Sequence, residues 1–152
     1  MKVWLIGESN PYQTPESDPE HHFALYPDPP NSAGGRLCRA LKLPDAEYLK
    51  RYQRRNLLHT VKWSVPAARR AAATILGAVA ERDAVVLLGA KVAAAFGVPF
   101  DVLKTHQRLV HGEVLYTLLV VPHPSGLSRL WNQRSMRERV VEAILRLDSV
   151  AT

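Results

Sequence analysis

Short apolar strands alternating with amphipathic helices along 152 residues predict an α/β chain, a three-layer α/β/α domain with a short, mostly parallel central sheet. Three features support this. Val3 to Ile6 and Ala84 to Leu88 are continuous apolar stretches, and Val114, Leu115, Leu118, Leu119, Val120 and Val121 form a third run of β-branched and leucine residues, the pattern of buried strands. Helical spacing of apolar residues separates them, over Pro66 to Arg82 and again over Gln133 to Asp148. A 17.0 kDa chain that is 47% hydrophobic has enough apolar surface for one core, so residues 1–152 are expected to form a single domain.

Taken in order, the first strand, Val3 to Ile6, ends at Gly7, and a polar loop follows, Gly7 to Tyr12, reading GESNPY. From Glu8 to Gly34 the chain has no helical periodicity, and Tyr12, Phe23, Leu25 and Tyr26 give this long segment apolar groups to pack with. Ser32 to Gly35 opens a helix over Arg36 to Leu43, with an amino end suited to a phosphate, and Pro44 ends it. A short helix over Asp45 to Leu49 and a strand over Arg54 to Thr60 come next, with Asn56 near the start of that strand. Pro66 suits the first turn of the long helix, whose Ala68, Ala72, Ile75, Leu76 and Val79 share one face. The third strand then turns at Gly89 into a short helix, Lys91 to Phe96, on which Lys91 reads as a surface residue. Leu109 to Val121 is either one bent strand or a hairpin broken at His111-Gly112. Val120 to Asn132 runs from this strand through a His-Pro-Ser-Gly turn toward the last helix.

A net charge of +6 and a pI near 9.8 favour an anionic partner, because cations that neutralise phosphates gain binding from counterion release. One cysteine, Cys38, excludes an internal disulfide and a four-cysteine metal or iron-sulfur site within one chain, and it reads as a core residue. The six histidines have no metal-ligand spacing, so neither metal nor cofactor is expected. No apolar run approaches the roughly 20 residues of a membrane span, and no signal-peptide pattern is seen, so a cytoplasmic monomer is expected.

The chemistry-bearing residues gather at strand ends. Pro122 and Pro124 remove backbone donors on either side of His123, which stops the strand and holds the imidazole at its carboxyl end. In open α/β sheets that edge binds ligands. Gly7 to Tyr12, Asn56 and His123 to Ser128 each follow or begin a strand, so they can converge on one edge. No G-x-G-x-x-G or G-x-x-x-x-G-K-[ST] loop is present, which removes the usual nucleotide-binding glycine loops, and no G-x-S-x-G elbow supports a serine hydrolase.

At these residues the chain resembles the uracil-DNA glycosylase superfamily, and the resemblance runs through most of the domain. GESNPY is similar to the family's first motif, in which Asn10 and Pro11 would match the residues that position the hydrolytic water. SAGGRL is similar to the segment that opens the first helix in small bacterial branches. RRNLL places Asn56 at a base-reading asparagine, and HPSGLS resembles the second motif, with His123 facing the base and the following turn carrying a wedge. Two residues separate Gly7 from Asn10 where several branches have one, so Glu8 or Ser9 can instead take the water-positioning place. The chain also lacks the cysteines of the iron-sulfur branches, and Asn10 stands where an aspartate would be the stronger base.

The resemblance implies a uracil-DNA glycosylase-like fold and a monofunctional DNA glycosylase that acts on uracil or a related deaminated or modified base, as in base-excision repair. Asn10, Glu8 and His123 would be catalytic. Gly7, Ser9, Pro11, Tyr12 and Asn56 would form the base pocket, with Phe23 or Tyr26 as its platform. Tyr12 would block a 5-methyl group. Leu127 would be the wedge of base flipping, and Ser125, Gly126, Ser128 and Arg129 would meet the DNA backbone. The alternative is a catalytically inactive module of the same fold that binds DNA or abasic sites.

Overall fold

The computed structural model describes residues 1–9, 22–59 and 62–151. Five strands and five helices follow one another as β1 (Val3–Ser9), α1 (Ala33–Ala40), α2 (Asp45–Arg51), β2 (Tyr52–Leu58), α3 (Val65–Ala78), β3 (Asp83–Leu88), α4 (Ala90–Ala95), β4 (Thr105–Val110), β5 (Glu113–Val121) and α5 (Arg134–Ala151). The sheet order is β2-β1-β3-β5-β4. Every neighbouring pair is parallel except β4 with β5. The expected α/β architecture and mostly parallel sheet are therefore present.

Side-chain alternation decides which helices lie on which face. On one face Val3, Leu5, Val86, Leu88, Leu119 and Val121 pack with Leu37, Cys38 and Leu41 near α1, Tyr48 of α2, and Val140 and Ile144 of α5. On the other, Trp4, Ile6, Val85, Leu87, Leu118 and Val120 pack with Ala68, Ala72 and Ile75 of α3 and with Val92 and Ala93 of α4. β3 is buried at every residue, as a central parallel strand between two helical layers must be. Each buried Val or Leu there contributes on the order of 1.5–3 kcal/mol. Cys38 is a core residue, and burial, reinforced by the nearby Asp45 carboxylate, raises its thiol to about 11.

Several boundaries depart from the sequence expectations. β1 does not stop at Gly7 but runs on through Glu8 to Ser9, because Gly7 and Ser9 pair with Asn56 and Leu58 of β2. β2 starts two residues early, so Arg54 and Arg55 lie inside the strand and Asn56 near its middle. α1 begins at Ala33, since the Ser32 hydroxyl accepts from the Gly35 N–H at 3.0 Å and caps the helix. α3 ends at Ala78, four residues short of Arg82. His111 and Gly112 both have positive φ and form the two-residue turn of a β4–β5 hairpin, which settles the bent-strand alternative.

At the amino edge of the sheet, Asp83 is 1% exposed and joins three segments. Its carboxylate accepts from the Lys2 N–H at 2.7 Å, the Trp4 Nε1–H at 3.0 Å and the Ala80 N–H at 2.9 Å. Burial by itself pushes this carboxyl up, but the three donors outweigh it and hold the group below its ordinary range. The stabilisation is then complete above the unfolded value of about 4 and is lost as pH falls through the folded one. Asp83→Ala is expected to cost on the order of 3 kcal/mol in urea denaturation at pH 7, because it orphans buried donors. The gap between variant and wild type should narrow below about pH 4.

Candidate active site

β1, β3 and β5 are adjacent and parallel, so their carboxyl ends open on the same edge. Glu8 comes from the end of β1, and His123 from two residues beyond β5. Between them, at the end of β3, Gly89 turns the chain into α4. Its φ of 105° is costly for other residues, and a Cβ there would stand 3.1 Å from the His123 Cβ. Gly89 thus lets β3 end against the imidazole. Its N–H also donates to the Val121 carbonyl at 2.9 Å, which carries the sheet bonding past the strand ends.

At this edge the His123 Nε2 lies 3.6 Å from Glu8 Oε2, and the Lys91 ammonium lies 4.0 Å from Glu8 Oε1. The carboxylate is flanked by an imidazole and an ammonium, and the Glu8 and His123 side chains are 27% and 29% exposed. Burial lowers the His123 pKa, Glu8 raises it in part, and Lys91 lowers it again, for a net fall below the ordinary value. The ring is therefore neutral at neutral pH and can donate one N–H without carrying charge. Lys91 is exposed, as the sequence led one to expect, and its ammonium also lies 5.5 Å from the centre of the Trp63 ring. One signal in the sequence points to it. Lys91 stands two residues past a strand-ending glycine, at the same sheet edge that singled out His123.

Asn56 stands on the neighbouring strand, beside Gly7. It is buried and pairs with Gly7 across β1 and β2. Any side chain at position 7 would collide with the Asn56 Oδ1, so the glycine makes room for the amide. Leu25 packs on the same glycine, and behind it Tyr26 and Phe23 are 6.4 Å apart, with the Arg54 guanidinium 5.8 Å from the Tyr26 ring centre. Arg54 also donates to the Ala24 carbonyl at 2.6 Å. Tyr48, whose hydroxyl donates to the Leu25 carbonyl at 2.8 Å, anchors this turn from below. Phe23, Tyr26, Asn56 and Gly7 thus gather on one side of the edge. Asn10, Pro11 and Tyr12 lie outside the described residues.

The turn after His123 is clamped from within. The Asn132 Nδ2 donates to the carbonyls of Ser125, Gly126 and Ser128 at 3.2, 2.9 and 2.7 Å. Ser128 Oγ accepts from the Trp131 N–H at 3.2 Å, and the Trp131 indole is buried in the core. Ser128 is thereby occupied in holding the turn rather than turned wholly outward. Leu127, at the crest of this clamped turn, is 97% exposed, while Arg129 and Gly126 are also exposed. A Cβ on Gly126 would stand 3.0 Å from the Arg36 Nη2, so the Arg36 guanidinium lies against the turn from α1. The amino end of α1 is less open than its sequence suggested. Ser32 caps it, and Gly34 and Gly35 are buried against the backbone of Leu25, Tyr26, Pro29 and Pro30.

Among the described residues, no group of three or more His, Cys, Asp and Glu is arranged to hold a metal ion. Among the same residues, no helix is long and apolar enough to cross a membrane. In comparisons with known proteins, the chain matches no family model and no curated protein.

The arrangement makes Lys91 responsible for part of the low His123 pKa. Lys91→Met is expected to raise the imidazole pKa toward its ordinary value of about 6.5, followed by the His123 ring resonances in an NMR titration. An unchanged or lower value would show that the ammonium does not act on the ring. Glu8→Gln should move it the other way.

Proposed function

We propose that this protein is a monofunctional DNA glycosylase of uracil-DNA glycosylase type, which hydrolyses the N-glycosidic bond of uracil or a related deaminated or modified base. The observation that carries this reading is a glutamate side chain and an imidazole 3.6 Å apart at the ends of two parallel-running strands, β1 and β5. Cleaving the bond sends its electron pair away with the base and leaves positive charge on the sugar. A water adds to the sugar carbon and gives up a proton. On this reading Glu8 holds that water, takes the proton and faces the sugar's positive charge. The His123 N–H donates to the base oxygen as negative charge develops there, a contact whose removal costs about 2.7–4 kcal/mol in other enzymes.

The surrounding residues suit a base taken out of its stack. Asn56 offers an amide to the base edge, Phe23 or Tyr26 a flat platform, and Leu127 an apolar wedge on a turn that cannot easily yield. Arg36, Arg129 and the net positive charge of the chain favour phosphates. On this reading Glu8 carries the water, alone or with Asn10, and neither metal nor cofactor takes part.

Release of free base from a single-stranded uracil oligonucleotide is the direct test. His123→Ala and Glu8→Gln should each slow single-turnover release by about 10²-fold or more, while binding to an abasic-site duplex changes little. A comparable loss in Asn10→Ala would give the water two holders. Wild-type rates in both Glu8→Gln and His123→Ala would overturn the assignment, and DNA binding without release would leave the inactive binding module. Affinity for DNA should also fall steeply between 50 and 200 mM salt, by roughly 10³-fold if six phosphates are neutralised. A flat salt dependence would remove the nucleic-acid reading.

A further inference from the structure

Beside Lys91 the surface opens into a pocket of about 270 Å³ between the start of α3 and α4. Trp63, Val65, Ala68, Ala94, Arg69 and Lys91 line it, so its walls are apolar and two cations stand among them. Val65 is 51% exposed, an apolar side chain left in water at the first turn of α3. The volume lies just below the usual range for small-molecule sites, about 300–1,000 Å³, which suits one planar ring system better than a whole nucleotide. Trp63 offers such a ring a stacking partner, and Arg69 and Lys91 supply charge for an anion attached to it. An aromatic wall with cations beside it is the combination with which proteins hold the bases and backbone of a single strand. Lys91 joins the pocket to the candidate active site, because the same side chain lines the one and lies 4.0 Å from Glu8 in the other.

We propose that this pocket binds a second nucleobase, that of the nucleotide next to the one held at Glu8 and His123, stacked on Trp63 with its phosphate on Arg69 and Lys91. The inference rests on the glycosylase reading for which base is the first, but not for the chemistry of the pocket itself. It has a consequence for substrate choice. Filling both places removes two adjacent bases from their stacks, which costs least in a strand that is already single. Single-stranded DNA is therefore the preferred form.

The chain carries its own reporter. Of its three tryptophans, Trp4 and Trp131 are buried, so a base that reaches an indole must reach Trp63. The full-length protein is titrated at low salt with a uracil-free thymidine octanucleotide, following tryptophan emission and, with a labelled octamer, anisotropy. Saturable quenching is expected, stronger than with the same sequence in a duplex. Trp63→Leu should weaken octamer binding about tenfold, whereas Trp63→Phe, which keeps a flat ring, should retain most of it. Octamer binding with unchanged emission and no loss in Trp63→Leu would overturn the pocket while leaving base release at Glu8 and His123 untouched. Quenching by a protein that releases no uracil would sustain the pocket and end the glycosylase reading. No binding by either readout would overturn the pocket and leave the glycosylase reading to the assay of uracil release.

Discussion

The buried Asp83 carboxylate is the constraint from which the geometry of this sheet follows. A charge that is 1% exposed is tolerable only because three N–H groups point at it, and those groups belong to the start of β1 and to the turn before β3. Satisfying the charge therefore fixes β1 against β3 at the amino edge. Parallel strands are stiff, so a register set there is carried to the other end, where Ile6 stands opposite Leu87 just before Glu8 and Gly89. β5 is placed on the opposite side by its pairing with β3, Leu88 against Val121, and delivers His123 to the same edge.

At that edge the electrostatics are arranged by neighbours rather than by any one residue. Burial alone would favour a neutral His123, and Glu8 alone would favour a charged one. Lys91 opposes the carboxylate and helps the balance fall toward the neutral ring. Because Lys91 remains largely exposed, its influence works through solvent and is modest, which suits a group that also touches the Trp63 ring and the neighbouring pocket. On the proposed reading, one ammonium thus connects the site of bond cleavage with the strand that carries the substrate.

A second balance holds on the far side of the imidazole. Pro122 and Pro124 are buried, Trp131 is sunk in the core, and the Asn132 amide binds three carbonyls of the intervening turn. Three carbonyls of the turn are thereby bonded from within, and its large apolar side chain, Leu127, is left in water. An exposed leucine on a flexible loop would fold back onto the protein surface. On a turn tied in this way it stays presented, the property a wedge needs.

The sequence by itself determined the elements that depend on local pattern. The apolar runs of β1, β3 and β5, the helical spacing in α3 and α5, the arrest of the last strand by Pro122 and the position of His123 beyond it were all legible, because periodicity and proline act within a few residues. The site was legible in part: Glu8, Asn56, His123 and Leu127 stood out by motif, spacing and strand position. What only the tertiary structure decided is which of these side chains meet and which others join them. That β1 continues to Ser9 depends on pairing with β2, and that α1 begins at Ala33 depends on a serine cap and on glycines seated against a distant turn. Lys91 has only a faint local mark, its place two residues past the strand-ending Gly89, and otherwise reads as a surface lysine on a short helix, while Trp63 has none. They acquire their places because α3 and α4 pack on the same face of the sheet, bringing an ammonium to a carboxylate 83 positions away in the chain. Proximity of that kind follows from the sum of many packing contacts, and no window of sequence contains it.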